Sequence, residues 1–306
     1  MDTDETRSVL VTGGRGFVGR AVAKLLQREG YEVVSLDASP MPTSSAGPGK
    51  DREVRCDLTD AEALLRVFEA RQIRGIIHLA AILPTAAQRD PVRATQVNVD
   101  GSLNLLEQAR RFGVGRLVFG SSLSVYGTRA AEQAVSETDQ AAPEDLYGAS
   151  KLYVEQLGAA YRQQFALEFV SLRIGRVVGS GARSVSSAWR SEIFEFLGTR
   201  NATEIAVPYV GSERILLLHI DDVATMLVAL VHAACPAHAI YNAVCESVVV
   251  DDLKRELERL NPNLGVKLGE THALGNPRRL DASRFRQEFG IQPLPIFEQL
   301  TRALHP

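Results

Sequence analysis

Cysteine, lysine and long apolar runs are scarce in this chain of 306 residues. The three cysteines, Cys56, Cys235 and Cys245, show neither the paired spacing of a zinc site nor a disulfide framework, so we expect packing residues. His78 and His219 lie in apolar segments, no two histidines have metal-ligand spacing, and we predict no metal. No apolar run approaches the roughly 20 residues that span a bilayer. The acidic start MDTDETRS does not resemble a signal peptide, and we expect a cytoplasmic protein.

Blocks of like charge are also absent. The formal net charge is -3 at pH 7, which predicts no basic surface for nucleic acid or for an anionic membrane. Hydrophobic residues make up 45% of the chain, enough to bury the core of one large α/β unit or of two modest domains. We therefore expect a soluble globular protein.

Short apolar segments alternate with helical patterns over the first half of the chain. Helices are predicted near 17–29, 60–71, 91–112 and 145–165. The segments between them are SVLVTG, YEVVSLD, EVRCDL, GIIHLAA, RLVFGSS and EFVSLRI. Continuous apolar strands are typical of a parallel sheet covered on both faces, and the alternation predicts an α/β, Rossmann-type doubly wound fold.

A glycine-rich turn follows the first predicted strand. In TGGRGFVG, Gly13, Gly16 and Gly19 are spaced as GxxGxxG, and glycines there let the backbone approach a pyrophosphate at a helix N-terminus. Asp37 ends the second strand, where a carboxylate can bond an adenosine ribose and would repel a 2′-phosphate. The pattern favours NAD over NADP, with the alternative that Arg15, inside the loop, clamps a phosphate.

The alternating pattern ends near residue 175. A Gly- and Ser-rich stretch, GSGARSVSS, follows, and then RILLLHI and DDVATMLVALVHAA are interpreted as a return to the main sheet. We therefore predict an NAD-binding Rossmann domain over 1–175, with 214–240 returning to it. Residues 176–213 and 241–306 would form a smaller, discontinuous C-terminal substrate-binding region.

The stretch DLYGASKLYVEQ places Tyr147 and Lys151 one turn apart on a predicted helix. Such pairs also occur on ordinary helix surfaces, but 7 Tyr and five Lys give only about 0.1 such spacings by chance. Oxidation of a secondary alcohol requires the hydroxyl proton to leave, and a tyrosine with a pKa of about 10 is a poor base at neutral pH. An ammonium nearby typically lowers such a pKa by about 1 to 3 units. One match of this spacing is suggestive, and the rest of the chain must decide whether Tyr147 and Lys151 carry out chemistry or lie on a helix surface.

Together these stretches resemble the extended short-chain dehydrogenase/reductase family, of the NAD-dependent epimerase/dehydratase type. The resemblance also runs through CDLTD, HLAA, NVDGSLNLLEQAR, SSLSVYG, HIDDVA and LDASRFRQEFG. It implies an NAD-dependent enzyme whose catalytic residues are Ser122, Tyr147 and Lys151, with Ser122 bonded to the reacting oxygen. The cofactor contacts that it implies are Gly13, Arg15, Gly16, Phe17, Val18, Gly19, Asp37, Asp57, Leu58, Leu79, Ala80, Ala81, Asn98, Tyr147 and Lys151, with Asp57 and Leu58 at the adenine.

Two motifs of the family are absent from this chain, which reduces the number of reactions that the resemblance implies. Family dehydratases follow the catalytic hydroxyl residue with an Asp-Glu pair and related decarboxylases carry a Glu there, whereas this chain has Ser122-Leu123-Ser124. Reversible oxidation and reduction remains, and our first choice is a nucleotide-sugar 4-epimerase. The alternative is an NAD-dependent dehydrogenase of a sugar acid or a small hydroxy acid, including an L-threonine type. Arg176 favours the alternative, because those epimerases usually carry an asparagine at its position.

Substrate contacts are predicted at Ser122, Ser124, Tyr147, Arg176, Arg183 and Arg214. A guanidinium fork suits a diphosphate or a carboxylate, although among 29 arginines any one is more often an ordinary surface residue. A cofactor-binding sensor or scaffold is the non-enzyme alternative, but the complete Ser, Tyr and Lys set favours an enzyme. The resemblance further implies a homodimer acting on a small carbohydrate substrate.

Overall fold

The computed structural model describes residues 8–39, 52–130, 132–182 and 187–304. The chain divides into two compact units. Unit 1 consists of Met1–Ser122, Asp145–Arg173 and Ala224–Tyr241, and unit 2 of Leu123–Glu144, Ile174–Val223 and Asn242–Pro306. In the described ranges, no helix combines the length and the apolar character needed to cross a membrane.

Fourteen strands and eleven α-helices are present in the described residues. The strands are β1 (Ser8–Thr12), β2 (Glu32–Asp37), β3 (Arg52–Arg55), β4 (Gly75–His78), β5 (Arg116–Ser122), β6 (Ala134–Val135), β7 (Glu168–Ile174), β8 (Arg176–Val178), β9 (Thr203–Tyr209), β10 (Arg214–His219), β11 (Ile240–Asn242), β12 (Glu246–Val249), β13 (Leu264–Thr271) and β14 (Arg279–Leu280). The helices are α1 (Phe17–Arg28), α2 (Ala61–Glu69), α3 (Pro84–Arg89), α4 (Pro91–Thr95), α5 (Gly101–Arg111), α6 (Leu146–Phe165), α7 (Trp189–Glu195), α8 (Ile220–His232), α9 (Val250–Leu260), α10 (Ser283–Phe289) and α11 (Ile296–Ala303).

A seven-stranded sheet in the order β11-β7-β5-β4-β1-β2-β3 forms the centre of unit 1. Strand β1 pairs in parallel with β2 and β4, β2 with β3, and β4 with β5. Every residue of β1 and β5 is buried, as expected for strands covered on both faces. The predicted Rossmann-type doubly wound sheet is confirmed.

Aspartates begin three of the helices that cover this sheet. The carboxylates of Asp60, Asp90 and Asp145 accept hydrogen bonds from backbone amides in the first turns of α2, α4 and α6, at 2.9, 3.0 and 2.6 Å. An N-cap of this kind satisfies an amide that has no partner inside the helix. The predicted helix over 91–112 is interrupted by a π-helical turn at Gln96–Asp100.

Unit 2 contains three small sheets, in the orders β12-β10-β8, β13-β9 and β14-β6. Its core includes Trp189, Ile205 and Ile215, and the Trp189 ring packs edge-on against Tyr209. Strand β10, RILLLH, was predicted to return to the main sheet, but it pairs with β8 and β12 instead. An apolar run looks the same whichever sheet buries it, so its pattern does not identify its partner strands.

The boundaries of the two units also differ from the predicted ones. Residues 123–144, placed by the sequence in the Rossmann domain, belong to unit 2, as do residues 214–223. Among the cysteines, Cys56 is buried as expected, whereas Cys235 is exposed.

Candidate active site

The glycine-rich turn of unit 1 leaves no room for a side chain at Gly13 or at Gly19. Gly13 has φ +66°, and a Cβ there would lie 2.8 Å from the backbone nitrogen of Ala80. A Cβ on Gly19 would collide with the carbonyl oxygen of Gly13. The amide of Gly16 donates to that same carbonyl at 2.9 Å, and Gly16 is the N-cap residue of α1. A glycine-rich turn at a helix N-terminus lets the backbone come close to a ligand, which fits the pyrophosphate of a dinucleotide.

Asp37 closes β2 with its carboxylate anchored by two backbone amides. Oδ2 accepts from the amide of Arg15 at 3.2 Å, and Oδ1 accepts from that of Ser39 at 2.9 Å. The Arg15 guanidinium donates to the Ser39 carbonyl at 3.3 Å. Each carboxylate oxygen keeps acceptor capacity, which fits hydrogen bonds to ribose hydroxyls.

Asn98 joins the segment after β4 to the beginning of α6. Its Oδ1 accepts from the Ile82 amide at 2.7 Å, while its Nδ2 donates to the Ile82 carbonyl at 3.0 Å and to Ser150 Oγ at 3.3 Å. Ser150 Oγ in turn donates to the carbonyl of Tyr147 at 2.7 Å. Asn98 lies in the π-helical turn. Its side chain thus connects Ile82, which follows Leu79, Ala80 and Ala81, with Ser150 at the beginning of α6.

His78 is buried, and both of its ring nitrogens have hydrogen-bond partners. Its Nδ1 lies 2.6 Å from Thr12 Oγ1, and its Nε2 lies 2.9 Å from Ser102 Oγ. Ser102 Oγ donates its own proton to the Asn98 carbonyl at 2.7 Å, so it must accept from a protonated Nε2, and Nδ1 accepts from Thr12. Burial, with the nearby charge of Lys151, lowers the pKa of His78 to about 3. The imidazole is therefore neutral and held in one tautomer.

Tyr147 and Lys151 occupy successive turns at the start of α6. The Nζ of Lys151 lies 5.5 Å from the centroid of the Tyr147 ring and 4.5 Å from that of Phe119. It donates to the Gly120 carbonyl at 2.8 Å, and Gly120 precedes Ser122, the last residue of β5, by two positions. This hydrogen bond joins α6 to β5 near the strand end at which Ser122 lies.

Lys151 is only 3% exposed, and this burial lowers the pKa of its ammonium to about 7, against an opposing effect of Glu155. Glu155 follows one turn later on α6 and is itself buried. Its carboxylate accepts from Ser121 Oγ at 2.6 Å and from Arg173 Nε and Nη2 at 3.0 and 2.6 Å. Glu155 is not among the site residues predicted from the sequence, although YGASKLYVE places it on the same helix face as Tyr147 and Lys151.

The predicted substrate residues beyond Ser122 belong to unit 2, apart from Tyr147. Ser124 is buried in a 3-10 turn at Leu123–Val125. The Nε of Arg176 donates to Tyr209 Oη at 3.2 Å, and its guanidinium lies 5.4 Å from the centroid of that ring. Arg183 lies outside the described residues.

Arg214 lines a cavity of about 290 Å³ that also contains Arg278, Arg279 and His272. Buried Glu213 accepts from Arg278 Nε at 2.7 Å and lies 2.8 Å from His272 Nδ1. Burial alone would raise the pKa of Glu213, but these bonds lower it, so the carboxylate is charged. Arg279 lies 3.5 Å from Glu132. With three guanidinium groups against two carboxylates, the cavity suits an anion.

Arg278, Arg279 and His272 are not among the site residues predicted from the sequence. They lie far beyond Arg214 in the chain and reach it only through the folding of unit 2, and 29 arginines provide no local pattern that selects two of them. The one available signal is the pair Arg278-Arg279 directly before the LDASRF stretch.

The glycine turn and the Asp37 carboxylate fit a dinucleotide, and most of the sequence matches one family. The sequence model of the NAD dependent epimerase/dehydratase family matches residues 9–243. The chain belongs to this family. NAD is accordingly its cofactor.

Two curated relatives differ in activity. The UDP-glucose 4-epimerase of Lacticaseibacillus casei is 33% identical over 175 residues, which are 56% of this chain and 52% of that protein. The uronate dehydrogenase of Pseudomonas putida is 32% identical over 177 residues, which are 57% of this chain and 63% of that protein. The chain thus spans about half the length of the epimerases that it matches.

Solved structures show the same fold across nearly the whole chain. The UDP-glucose 4-epimerase of Thermus thermophilus, in complex with NAD, has a TM-score of 0.81 at 25% identity, over 97% of this chain and 98% of that one. The L-threonine 3-dehydrogenase of Trypanosoma brucei has a TM-score of 0.85 at 22% identity, over 97% and 96%. The fold therefore does not distinguish an epimerase from a dehydrogenase.

Proposed function

We propose that this protein is an NAD-dependent enzyme that moves hydride at a secondary alcohol or ketone of an anionic carbohydrate, and that it is a nucleotide-sugar 4-epimerase. The observation that carries the proposal is the buried Lys151 ammonium beside the Tyr147 ring, held by the Gly120 carbonyl. This pairing supports a tyrosine acting as a base, which a scaffold protein would not need.

In this proposal Tyr147 receives the proton of the substrate hydroxyl. Lys151 stabilises the phenolate, because an opposite charge at short range favours the ionised form. Ser122 donates a hydrogen bond to the same substrate oxygen and fixes its distance from Tyr147. NAD, when bound, accepts the hydride and can return it. Protonation by Tyr147 in the reverse direction restores the alcohol, so one set of residues serves both half-reactions of an epimerase.

The basic cavity of unit 2 supports a nucleotide sugar as the substrate. A diphosphate carries two negative charges or more, and Arg214, Arg278 and Arg279 line one cavity. Glu213 holds Arg278 and His272 in position there. The UDP-glucose 4-epimerases among the curated relatives add weight to this choice, within the half of their length that is matched.

A sugar-acid or hydroxy-acid dehydrogenase is the second candidate, and Arg176 favours it. Its guanidinium is held against Tyr209, so a single fixed cation is available to a carboxylate. The uronate dehydrogenase among the relatives agrees with this alternative.

The test is a substrate panel. Purified protein is incubated with NAD and, separately, with UDP-hexoses, uronic acids, aldonic acids and L-threonine, while NADH absorbance is followed and the products are separated. An epimerase retains its reduced cofactor, so we expect interconversion of a UDP-hexose without accumulation of free NADH. Stoichiometric NADH release with an acid or threonine, and no conversion of any nucleotide sugar, would refute the epimerase and support the dehydrogenase.

We further propose a homodimer formed through α5 and α6. Apolar side chains are exposed on both helices, including Leu103, Tyr153 and Phe165. A dimer would remove this surface from water. Light scattering after size-exclusion chromatography should give twice the mass of the chain, and Tyr153→Glu should shift the protein toward the monomer; a monomeric unmodified protein would refute the proposal.

A further inference from the structure

A continuous series of buried hydrogen bonds runs through unit 1 from the end of β1 to the beginning of α6. It passes through Thr12, His78, Ser102, Asn98 and Ser150. All five residues are 6% exposed or less, so water does not compete for these bonds. Successive members are joined at 2.6, 2.9, 2.7 and 3.3 Å, and Ser150 Oγ donates to the carbonyl of Tyr147 at 2.7 Å. Residues 12 and 147 are therefore connected through the interior of unit 1.

His78 joins the two halves of this series. Its Nε2 donates to Ser102 Oγ, because the proton of that hydroxyl is already bonded to the Asn98 carbonyl. Its Nδ1 accepts from Thr12 Oγ1. One neutral tautomer satisfies both contacts, whereas a protonated ring would present two donors and would not accept the Thr12 proton. The imidazole at position 78 therefore sets the direction of both bonds.

The Thr12 hydroxyl holds the segment after β4 against the glycine-rich turn. Its Oγ1 accepts from the amides of Leu79 and Ala80 at 3.2 and 3.3 Å, while its proton is bonded to His78. Gly13 follows Thr12 directly, and a Cβ on Gly13 would lie 2.8 Å from the Ala80 nitrogen. A hydroxyl rotates to suit its partners, so an acceptor for its proton decides where its lone pairs point. His78 Nδ1 thereby directs the Oγ1 lone pairs of Thr12 toward the two amides.

The Ser102 hydroxyl holds the π-helical turn from which Asn98 reaches α6. It bonds the carbonyl four residues earlier, an arrangement that bends helices. Asn98 Nδ2 then donates to Ser150 Oγ, and that oxygen donates to the carbonyl of Tyr147. The donor at His78 Nε2 keeps the Ser102 proton directed at the Asn98 carbonyl. The first turn of α6 is therefore held in part through His78.

Filling the core does not by itself require an imidazole at this position. A buried polar ring costs free energy unless its polar atoms are bonded. The ring of Phe119, whose centroid lies 5.5 Å from that of His78, shows that the surrounding core accommodates an apolar ring. What the imidazole adds is its two bonds, which run in opposite directions to β1 and to α5.

We propose that His78 is a positioning residue that serves both ends of this series. Through Thr12 it holds the glycine-rich turn, at which NAD is expected to bind, and through Ser102 it holds the start of the helix that carries Tyr147. The second half rests on the proposed function, in which Tyr147 exchanges the substrate proton. The two halves are separable by experiment, because each uses a different ring nitrogen.

Two variants at position 78 each keep one of the two bonds. His78→Asn places an amide oxygen near the position of Nδ1, so it still accepts from Thr12 but does not reach Ser102. His78→Gln places an amide nitrogen near the position of Nε2, so it still donates to Ser102 but does not accept from Thr12. The Kd for NAD is measured by equilibrium titration of the cofactor-free protein. The kcat is measured at saturating NAD with whichever substrate of the panel the unmodified protein converts.

The proposal predicts opposite patterns for the two variants. His78→Asn should lower kcat about fivefold and leave the Kd for NAD within about twofold, the larger effect being that of about one hydrogen bond. His78→Gln should raise the Kd for NAD about fivefold and leave kcat within about twofold. His238→Asn, at an exposed histidine of unit 1, is the control and should change neither constant.

Both variants at position 78 should unfold at a lower temperature, since each leaves a buried group without its partner. A merely structural role would not separate the two constants. Equal changes of Kd and kcat in both variants, or a loss of stability with neither constant changed, would overturn the inference.

Two further variants cut the same bonds from the other side. Ser102→Ala should reproduce the pattern of His78→Asn, and Thr12→Val that of His78→Gln, so the test does not depend on the folding of the variants at position 78. If the unmodified protein converts no substrate of the panel, the proposed function fails, while the titration still decides the first half of the inference. Weaker NAD binding by His78→Gln than by His78→Asn would then support that half, and equal binding would overturn it.

Discussion

The Lys151 ammonium lies 5.5 Å from the centroid of the Tyr147 ring and donates to the Gly120 carbonyl. Burial lowers its pKa from 10.5 to about 7, so the folded protein binds this proton less tightly than the unfolded chain does. Between these two values the unfolded state holds more protons, and stability at this site must rise with pH.

Replacing Lys151 with methionine should remove that rise. The free energy of unfolding of both proteins is measured in denaturant at pH 7 and at pH 9. That of the unmodified protein should increase by about 1 kcal/mol per pH unit relative to that of Lys151→Met. The difference between the two proteins isolates this site from other titrating groups. Parallel stability curves over this range would show that the lysine is not desolvated in the folded protein.

Glu155 should tune the same pair from the next turn of α6. Its charge raises the pKa of Lys151, so Glu155→Gln should leave less ammonium at neutral pH and, in consequence, less of Tyr147 in the phenolate form. We expect the acid limb of the oxidation rate against pH to move about 0.5 to 1 unit toward alkali. Glu107→Gln, an acid near the surface on α5, is the control. Loss of stability without a shift of the limb would restrict Glu155 to a structural role.

Asp37 should determine the choice of dinucleotide. Its carboxylate, anchored by the amides of Arg15 and Ser39, repels a 2′-phosphate. Equilibrium titration should show NAD bound more tightly than NADP, and Asp37→Ala should reduce this preference about tenfold or more, a typical effect of one charged contact. Tighter binding of NADP by the unmodified protein would instead assign selection to Arg15.

The proposed binding of the substrate anion in the cavity of unit 2 predicts an effect on KM. Arg279 is 47% exposed and can be replaced without leaving Glu213 unpaired. Arg279→Ala should raise KM about tenfold for a nucleotide sugar while changing kcat little, because the contact is made equally in ground and transition states. Arg255→Ala, an exposed arginine on α9, should change neither constant. An unchanged KM in Arg279→Ala would show that the substrate anion does not bind in this cavity.

The features that the sequence predicted are those in which the interacting residues are neighbours in the chain. The Gly13 and Gly19 spacing, the strand end at Asp37 and the Tyr147 and Lys151 pair each follow from a local period and a strand-to-helix boundary. Helices α1, α2 and α6 begin and end within two residues of their predicted limits.

The features that the sequence did not predict depend on distant partners. Arg93 meets Asp57 across 36 residues, and Arg278 meets Glu213 across 65. Strand β10 has the apolar pattern of a central strand, but its partners are β8 and β12. In each case the residue types were visible, while the choice of partner was made by tertiary packing.

Tyr147 is the residue that we propose exchanges the substrate proton. Steady-state turnover of Tyr147→Phe, with whichever substrate of the panel the unmodified protein converts, tests it directly alongside the Kd for NAD. Removing the proton-transferring hydroxyl should lower kcat by about 10² to 10⁴ while the Kd for NAD stays within about threefold. Turnover by Tyr147→Phe at the rate of the unmodified protein would contradict the account.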